Sequence, residues 1–157
     1  MPAPGSQPPR VFTPPSASRA PAQPSDRRKP KLSGVEKLRD WNAEDLIACA
    51  DAMGSRLQAV PVAQVRKFLG AVTRIAAGLQ AQDDTGSLRD RVLLLKPRLA
   101  YVAARADADA RGELRVRALF EDVSELADRV YEAEDFRRLH EYVQGVVAYH
   151  RFHGGRE

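Results

Sequence analysis

The sequence has little of what disulfide, membrane or secreted proteins need. Its single cysteine, Cys49, excludes an internal disulfide and any zinc site built from several cysteines. No apolar run approaches the roughly 18 residues of a membrane span, so we expect no membrane contact. The N-terminus lacks the apolar segment of a secretory signal. These absences favour a cytoplasmic protein.

The common catalytic motifs are missing as well. The sequence contains no glycine-rich phosphate loop, no nucleophile elbow and no His-Glu-x-x-His pattern. We therefore predict that the chain is not an enzyme and uses no cofactor or metal. His140, His150 and His153 raise the alternative of a metal site, but we interpret them as hydrogen-bonded, partly buried side chains of the last helix.

Charge and proline divide the chain in two. Residues 1–34 carry six cations against Asp26 alone, which leaves 19 cations and 20 acids in the remainder. Nine of the eleven prolines fall within the first 30 residues. We predict a disordered tail over residues 1–34 and a helical domain over residues 35–157. The basic segment 27–31 is interpreted either as a phosphate anchor or as a solvated leader that contacts nothing stably.

Apolar spacing beyond residue 34 is helical throughout, with no alternating strand pattern. The spacing predicts helices over residues 42–53, 61–82, 88–106, 113–130 and 134–152. Gly54 and Pro61 are assigned to a loop, and Ser87 is assigned as the cap of the third helix. Pro97 predicts a kink or break near Lys96. The expected fold is all-α, a compact bundle of about five helices.

Cations and acids occupy different helices. The second predicted helix carries three cations and no acid, whereas residues 106–135 hold ten acids and four arginines. Two of the cations, Lys67 and Arg74, are seven residues apart on the face opposite the apolar stripe. The next helix carries arginines at every seventh position, Arg91, Arg98 and Arg105, which are separated by roughly 10 Å along the helix axis. Such spacing suits a polyanionic strand, and a solvated helix face is the alternative.

Aromatic and acidic residues have two interpretations each. Trp41, Tyr101, Tyr142 and Tyr149 are interpreted as core or interface residues in preference to base-stacking platforms. Four acids at helical spacing are interpreted as a solvated face, or as an acidic end that meets the basic patch of a neighbouring copy: Glu121, Asp122, Glu125 and Asp128. In the fourth helix Leu114 is expected to point inward.

Three segments carry a resemblance to a known family. They read Val65-Arg66-Lys67-Phe68-Leu69 with Val72-Thr73-Arg74-Ile75, Leu95-Lys96-Pro97-Arg98-Leu99-Ala100-Tyr101-Val102-Ala103-Ala104-Arg105, and Val143-Gln144-Gly145-Val146-Val147-Ala148-Tyr149-His150-Arg151-Phe152. Together they resemble signatures of the small subunit of type III-A CRISPR effector complexes, the Csm small subunit. Their order and separations are also similar to the family's, over about residues 35–155.

The resemblance implies a non-catalytic subunit of a prokaryotic antiviral ribonucleoprotein. Such subunits stack in several copies along the guide RNA and its target RNA, beside the repeated backbone subunit and the large subunit. They hold the RNA backbone without reading sequence, since base pairing supplies specificity. The family's cationic positions fall on Arg66, Arg74, Lys96, Arg98 and Arg105, and Lys67 is added from its place on the helix. A helical protein adaptor without a nucleic-acid role is the alternative, and an uncharacterised hydrolase is a third.

Overall fold

The last helix lies at the centre of the fold. The computed structural model describes residue 30 and residues 32–80, 85–105 and 110–156. These residues form a 3-10 helix, Leu38–Asp40, and five α-helices without a strand: α1 Ala43–Arg56, α2 Val62–Gln80, α3 Thr85–Ala104, α4 Ala110–Ala127 and α5 Ala133–Phe152. Helix α5 packs against α1, α2 and α4, while α3 packs against α2 and α4. The predicted all-α bundle is confirmed.

One apolar core joins the five helices. Trp41 is 1% exposed and its ring lies 5.7 Å from that of Tyr142, so its predicted role as a core residue is confirmed. The predicted inner face of α5 is buried along its whole length, from Phe136 to Val147. Leu32 belongs to the same core, although it lies within the segment that the sequence assigns to the tail.

Two predicted breaks in the helices are wrong. Helix α1 continues through Gly54, where the backbone of α5 approaches so closely that a Cβ would lie 2.6 Å from the Cβ of Tyr149. Glycine is thus required there for packing and does not mark a loop. Helix α3 also continues through Pro97, so the predicted break near Lys96 is wrong, while the alternative of a kink there stays a prediction. The loss of one backbone hydrogen bond is tolerated in a helix held by its neighbours on both sides.

The start of one helix departs from expectation. Helix α1 begins where the sequence predicts, and Asn42 caps it, because its side chain accepts a hydrogen bond of 2.8 Å from the backbone N–H of Glu44. Helix α3, however, begins at Thr85, so Ser87 lies inside its first turn and is not its cap. The predicted structure of residues 1–29, 31, 81–84, 106–109 and 157 lies outside the described residues.

Leu114 is 67% exposed, so its predicted inward orientation is wrong. The buried stripe of α4 runs instead through Val116, Leu119, Val123 and Leu126. Two residues along an α-helix correspond to a rotation of about 200°, which places Leu114 opposite Val116.

A buried carboxylate fastens the start of α5 to the 3-10 helix. Asp135 is fully buried and accepts hydrogen bonds of 3.0–3.1 Å from the backbone N–H groups of Arg39, Tyr131 and Glu132. Burial alone raises the pKa of Asp135, but these backbone donors and the Arg39 guanidinium outweigh it and hold the pKa below its usual range. The Arg39 side chain also bonds Glu132, which lowers the pKa of that carboxyl group.

Candidate nucleic-acid interface

Helices α2 and α3 form the walls of an open groove of about 270 Å³. The lining of the groove consists of three arginines and three aliphatic side chains: Arg74 and Ile75 from α2, and Arg91, Leu94, Leu95 and Arg98 from α3. The sequence places Arg74 and Arg98 in different segments, and the fold brings them to one surface.

The burial pattern of α2 determines which of its cations face outward. Val65, Phe68 and Val72 are buried, and this leaves the opposite side of the helix exposed. Lys67 and Arg74 lie on that exposed side, as their spacing predicts, and Arg66 is exposed as well. Lys67 Nζ donates a 3.2 Å hydrogen bond to Oε1 of Gln64, which orients the ammonium group along the helix surface.

Helix α3 carries the opposite wall. Its buried stripe runs through Leu88, Val92, Leu95, Leu99 and Ala103. The row of arginines spaced seven residues apart (Arg91, Arg98 and Arg105) therefore lies on one edge of the helix, beside this stripe. Arg91 and Arg98 of this row line the groove. Arg91 belongs to the predicted row of arginines but not to the predicted RNA-binding residues. Its seven-residue spacing from Arg98 already indicates that the two lie on the same edge.

Lys96 lies on a different side of α3. Its Nζ forms an ion pair with Oδ1 of Asp128, at the end of α4. Arg89, seven residues earlier, faces the same helix and donates to the backbone carbonyl of Ala127 at 3.1 Å. The α3 edge with Lys96 thus fastens α3 to α4, whereas the edge with Arg98 faces α2.

Arg105 lies at the end of the α3 row, outside the groove lining, and contacts Tyr101. Its Nη1 donates a 2.5 Å hydrogen bond to the tyrosine hydroxyl, and its guanidinium carbon lies 5.5 Å from the ring centroid. Tyr101 was expected in the core or at an interface; it is 61% exposed, so it is not a core residue, whereas Tyr142 is fully buried and belongs to the core.

The acidic row on α4 is divided by the fold. Asp122 is 3% exposed and accepts a 3.3 Å hydrogen bond from the hydroxyl of Tyr142, so its assignment to a solvated face is wrong. Residue 122 lies next to the buried stripe of α4, on the side that meets α5. Glu121 and Glu125 are exposed, and Glu125 pairs with Arg129 at 3.8 Å.

The three histidines have protein partners. His150 is fully buried and its Nε2 lies 2.9 Å from the carbonyl oxygen of Val60. His140 contacts the hydroxyl of Thr73 at 3.4 Å, and His153 lies 2.5 Å from a carboxylate oxygen of Asp51. Across the described part of the chain, no three His, Cys, Asp or Glu side chains converge as a metal site would require, and no helix is long and apolar enough to cross a membrane.

Comparison with known proteins identifies the family. A family model described as Csm2 Type III-A matches residues 40–156, which include all five helices and both walls of the groove. No curated protein and no solved structure matches the chain. Proteins of this family are generally structural subunits without catalytic activity. The match covers most of the chain and agrees with the resemblance seen in the sequence. The chain therefore belongs to the Csm2 family, the small subunit of the type III-A CRISPR effector complex.

Proposed function

We propose that the chain binds the backbone of guide and target RNA along the α2/α3 groove, without reading sequence and without catalysing a reaction. The observation that carries this proposal is the convergence of Arg74, Arg91 and Arg98 on one open surface. Guanidinium groups along one groove suit the phosphates that recur along a strand, and each phosphate contact releases counterions.

The other predicted contacts extend this surface to different degrees. Lys67 shares the exposed side of α2 with Arg74, and Arg105 continues the row of Arg98. Arg66 is exposed on the same helix and adds positive charge near its start. Lys96 contacts RNA only if its ammonium group leaves Asp128, so we assign it the smallest share of the binding.

We further propose that several copies stack along the RNA and form a filament within the complex. The segregation of charge supports this arrangement, because the groove is cationic while α4 exposes Glu121 and Glu125. An acidic surface on one copy and a basic surface on the next give a head-to-tail contact.

The binding proposal is tested with the full-length chain and with the assembled complex, using RNAs of unrelated sequence. Arg74→Ala and Arg98→Ala should each weaken binding about fivefold near 0.1 M salt, equally for all sequences, since one phosphate contact is lost. Arg137→Ala is the matched control, because Arg137 is exposed on α5 outside the groove, in a cleft lined by Arg39, Arg138, Glu134 and Glu141. Loss of binding to some sequences only would contradict backbone recognition. Unchanged RNA binding together with failure to join the complex would favour a protein adaptor.

A further inference from the structure

We propose that Tyr101 stacks against an unpaired nucleobase, so that the strand in the groove is single-stranded at this point. This inference rests on the proposed RNA function and adds to it the class of ligand. The large aromatic side chains of the core, such as Trp41 and Phe68, are fully or almost fully buried. Tyr101 instead exposes 61% of its surface next to a row of arginines.

The position of Tyr101 links it to the phosphate contacts. It lies three residues after Arg98 and four before Arg105, on the adjoining strip of the same helix surface. A strand whose phosphates follow these arginines therefore passes its bases across the ring. Base stacking on an aromatic side chain beside cations is the usual way in which proteins hold single strands without reading sequence.

The ring is held in place before any ligand arrives. The hydrogen bond from Arg105 Nη1 engages the hydroxyl of Tyr101, and the guanidinium group lies close to the ring. An exposed tyrosine without such a contact samples several rotamers, and ordering it on binding costs free energy. Arg105 thus acts as a positioning residue for Tyr101 as well as a cation for phosphate.

A second apolar side chain lies along the same path. Leu94 is 67% exposed, lines the groove and precedes Tyr101 by seven residues, which places both on one strip of α3. A double helix presents phosphates and hides the faces of its bases, so it offers no partner for this apolar strip. Unpaired bases do offer one, since each has an apolar face.

The experiment compares two RNA probes of equal length with the full-length chain. One probe is oligouridylate, and the other is the same ribose-phosphate chain without bases. Tyr101→Ala should weaken binding of oligouridylate about fivefold or more and leave binding of the abasic chain unchanged. Tyr101→Phe should retain most of the affinity, because the ring remains. Tyr131→Ala is the matched control: Tyr131 is 49% exposed beneath Arg89, whose guanidinium carbon lies 4.5 Å from the ring centroid, away from the groove.

The outcomes separate the two proposals. If Tyr101→Ala weakens both probes equally, or neither, stacking is overturned while backbone binding stands as long as Arg98→Ala weakens both. If Arg98→Ala leaves both probes unaffected, the proposed function fails. If Tyr101→Ala alters only assembly with other subunits, the ring contacts protein and the stacking proposal is overturned. Unchanged helical circular dichroism of each variant shows that the fold is intact.

Discussion

Lys96 and Arg98 are two residues apart on α3 and point to opposite neighbours. Arg98 lines the groove shared with α2, whereas Lys96 pairs with Asp128, directly after the end of α4. Two positions along an α-helix differ by about 200°, so one edge of α3 faces the groove and the other fastens the bundle. The two cations of a single motif thus have different roles.

This relationship predicts unequal effects of two similar substitutions. Arg98→Ala should weaken RNA binding about fivefold near 0.1 M salt and leave stability nearly unchanged. Lys96→Ala should change RNA binding by less than twofold and cost up to about 1 kcal/mol of stability, as is usual for a partly exposed ion pair. Fluorescence anisotropy with labelled RNA and thermal unfolding measure the two effects. A larger loss of RNA binding for Lys96→Ala than for Arg98→Ala would contradict the assignment of Arg98 to RNA binding and of Lys96 to the contact with Asp128.

The junction at Asp135 predicts a dependence of stability on acid. The folded state lowers the pKa of Asp135, so its contribution is present above the pKa of the unfolded chain, about 4, and is lost as pH falls through the lower folded value. Stability should therefore decline below about pH 4.

The variant Asp135→Asn should remove this part of the decline. At neutral pH it should cost at least about 2 kcal/mol of stability, because an amide replaces the buried carboxylate that accepts hydrogen bonds from three N–H groups. Urea unfolding at several pH values tests both statements. An unchanged pH profile in the variant would show that other groups cause the decline.

The close approach of α1 to α5 predicts that Gly54 tolerates no side chain. In Gly54→Ala the new Cβ would lie 2.6 Å from Tyr149 Cβ and 2.7 Å from the backbone nitrogen of His150, so the helices must separate. We expect a loss of about 1–3 kcal/mol. Gly70→Ala is the control within α2, because its Cβ would meet nothing within 4 Å. That variant should be more stable than the wild type by about 0.5–1 kcal/mol, from helix propensity alone. Equal melting temperatures for the two variants would contradict this packing.

Self-association should depend on the exposed acids of α4. Replacement of both Glu121 and Glu125 by lysine should weaken stacking of copies and reduce its dependence on salt, because the proposed contact is between opposite charges. Light scattering of the protein with a long RNA, at increasing salt, measures this. Arg129 loses its partner Glu125 in this variant, so thermal unfolding of the variant measures the loss of that internal pair separately. Assembly that does not respond to the variant would place the contact elsewhere.

Periodicity in the sequence was enough to predict the helices and most of the core. The apolar spacing of α5 and the exposed cations of α2 follow directly from 3.6 residues per turn. Periodicity does not predict which neighbouring helix packs against each edge of a helix. Helical spacing therefore places Asp122 on a solvated face, although α5 supplies its partner. The resemblance likewise does not predict the ion pair of Lys96 with Asp128. Gly54 is a related case, since only the tertiary packing shows why a helix contains it.

The central claim is that Arg74 and Arg98 contact phosphates of one RNA strand, and the salt dependence of binding tests it most directly. The logarithm of the affinity for oligouridylate is measured against the logarithm of salt concentration for the wild type, each single alanine variant and the double variant. The slope should fall in magnitude by about 0.7 for each arginine removed and by about 1.4 for both. The control variant Arg137→Ala should have the same slope as the wild type. Slopes that are equal in all five proteins would contradict the account, because the groove would then hold no phosphate.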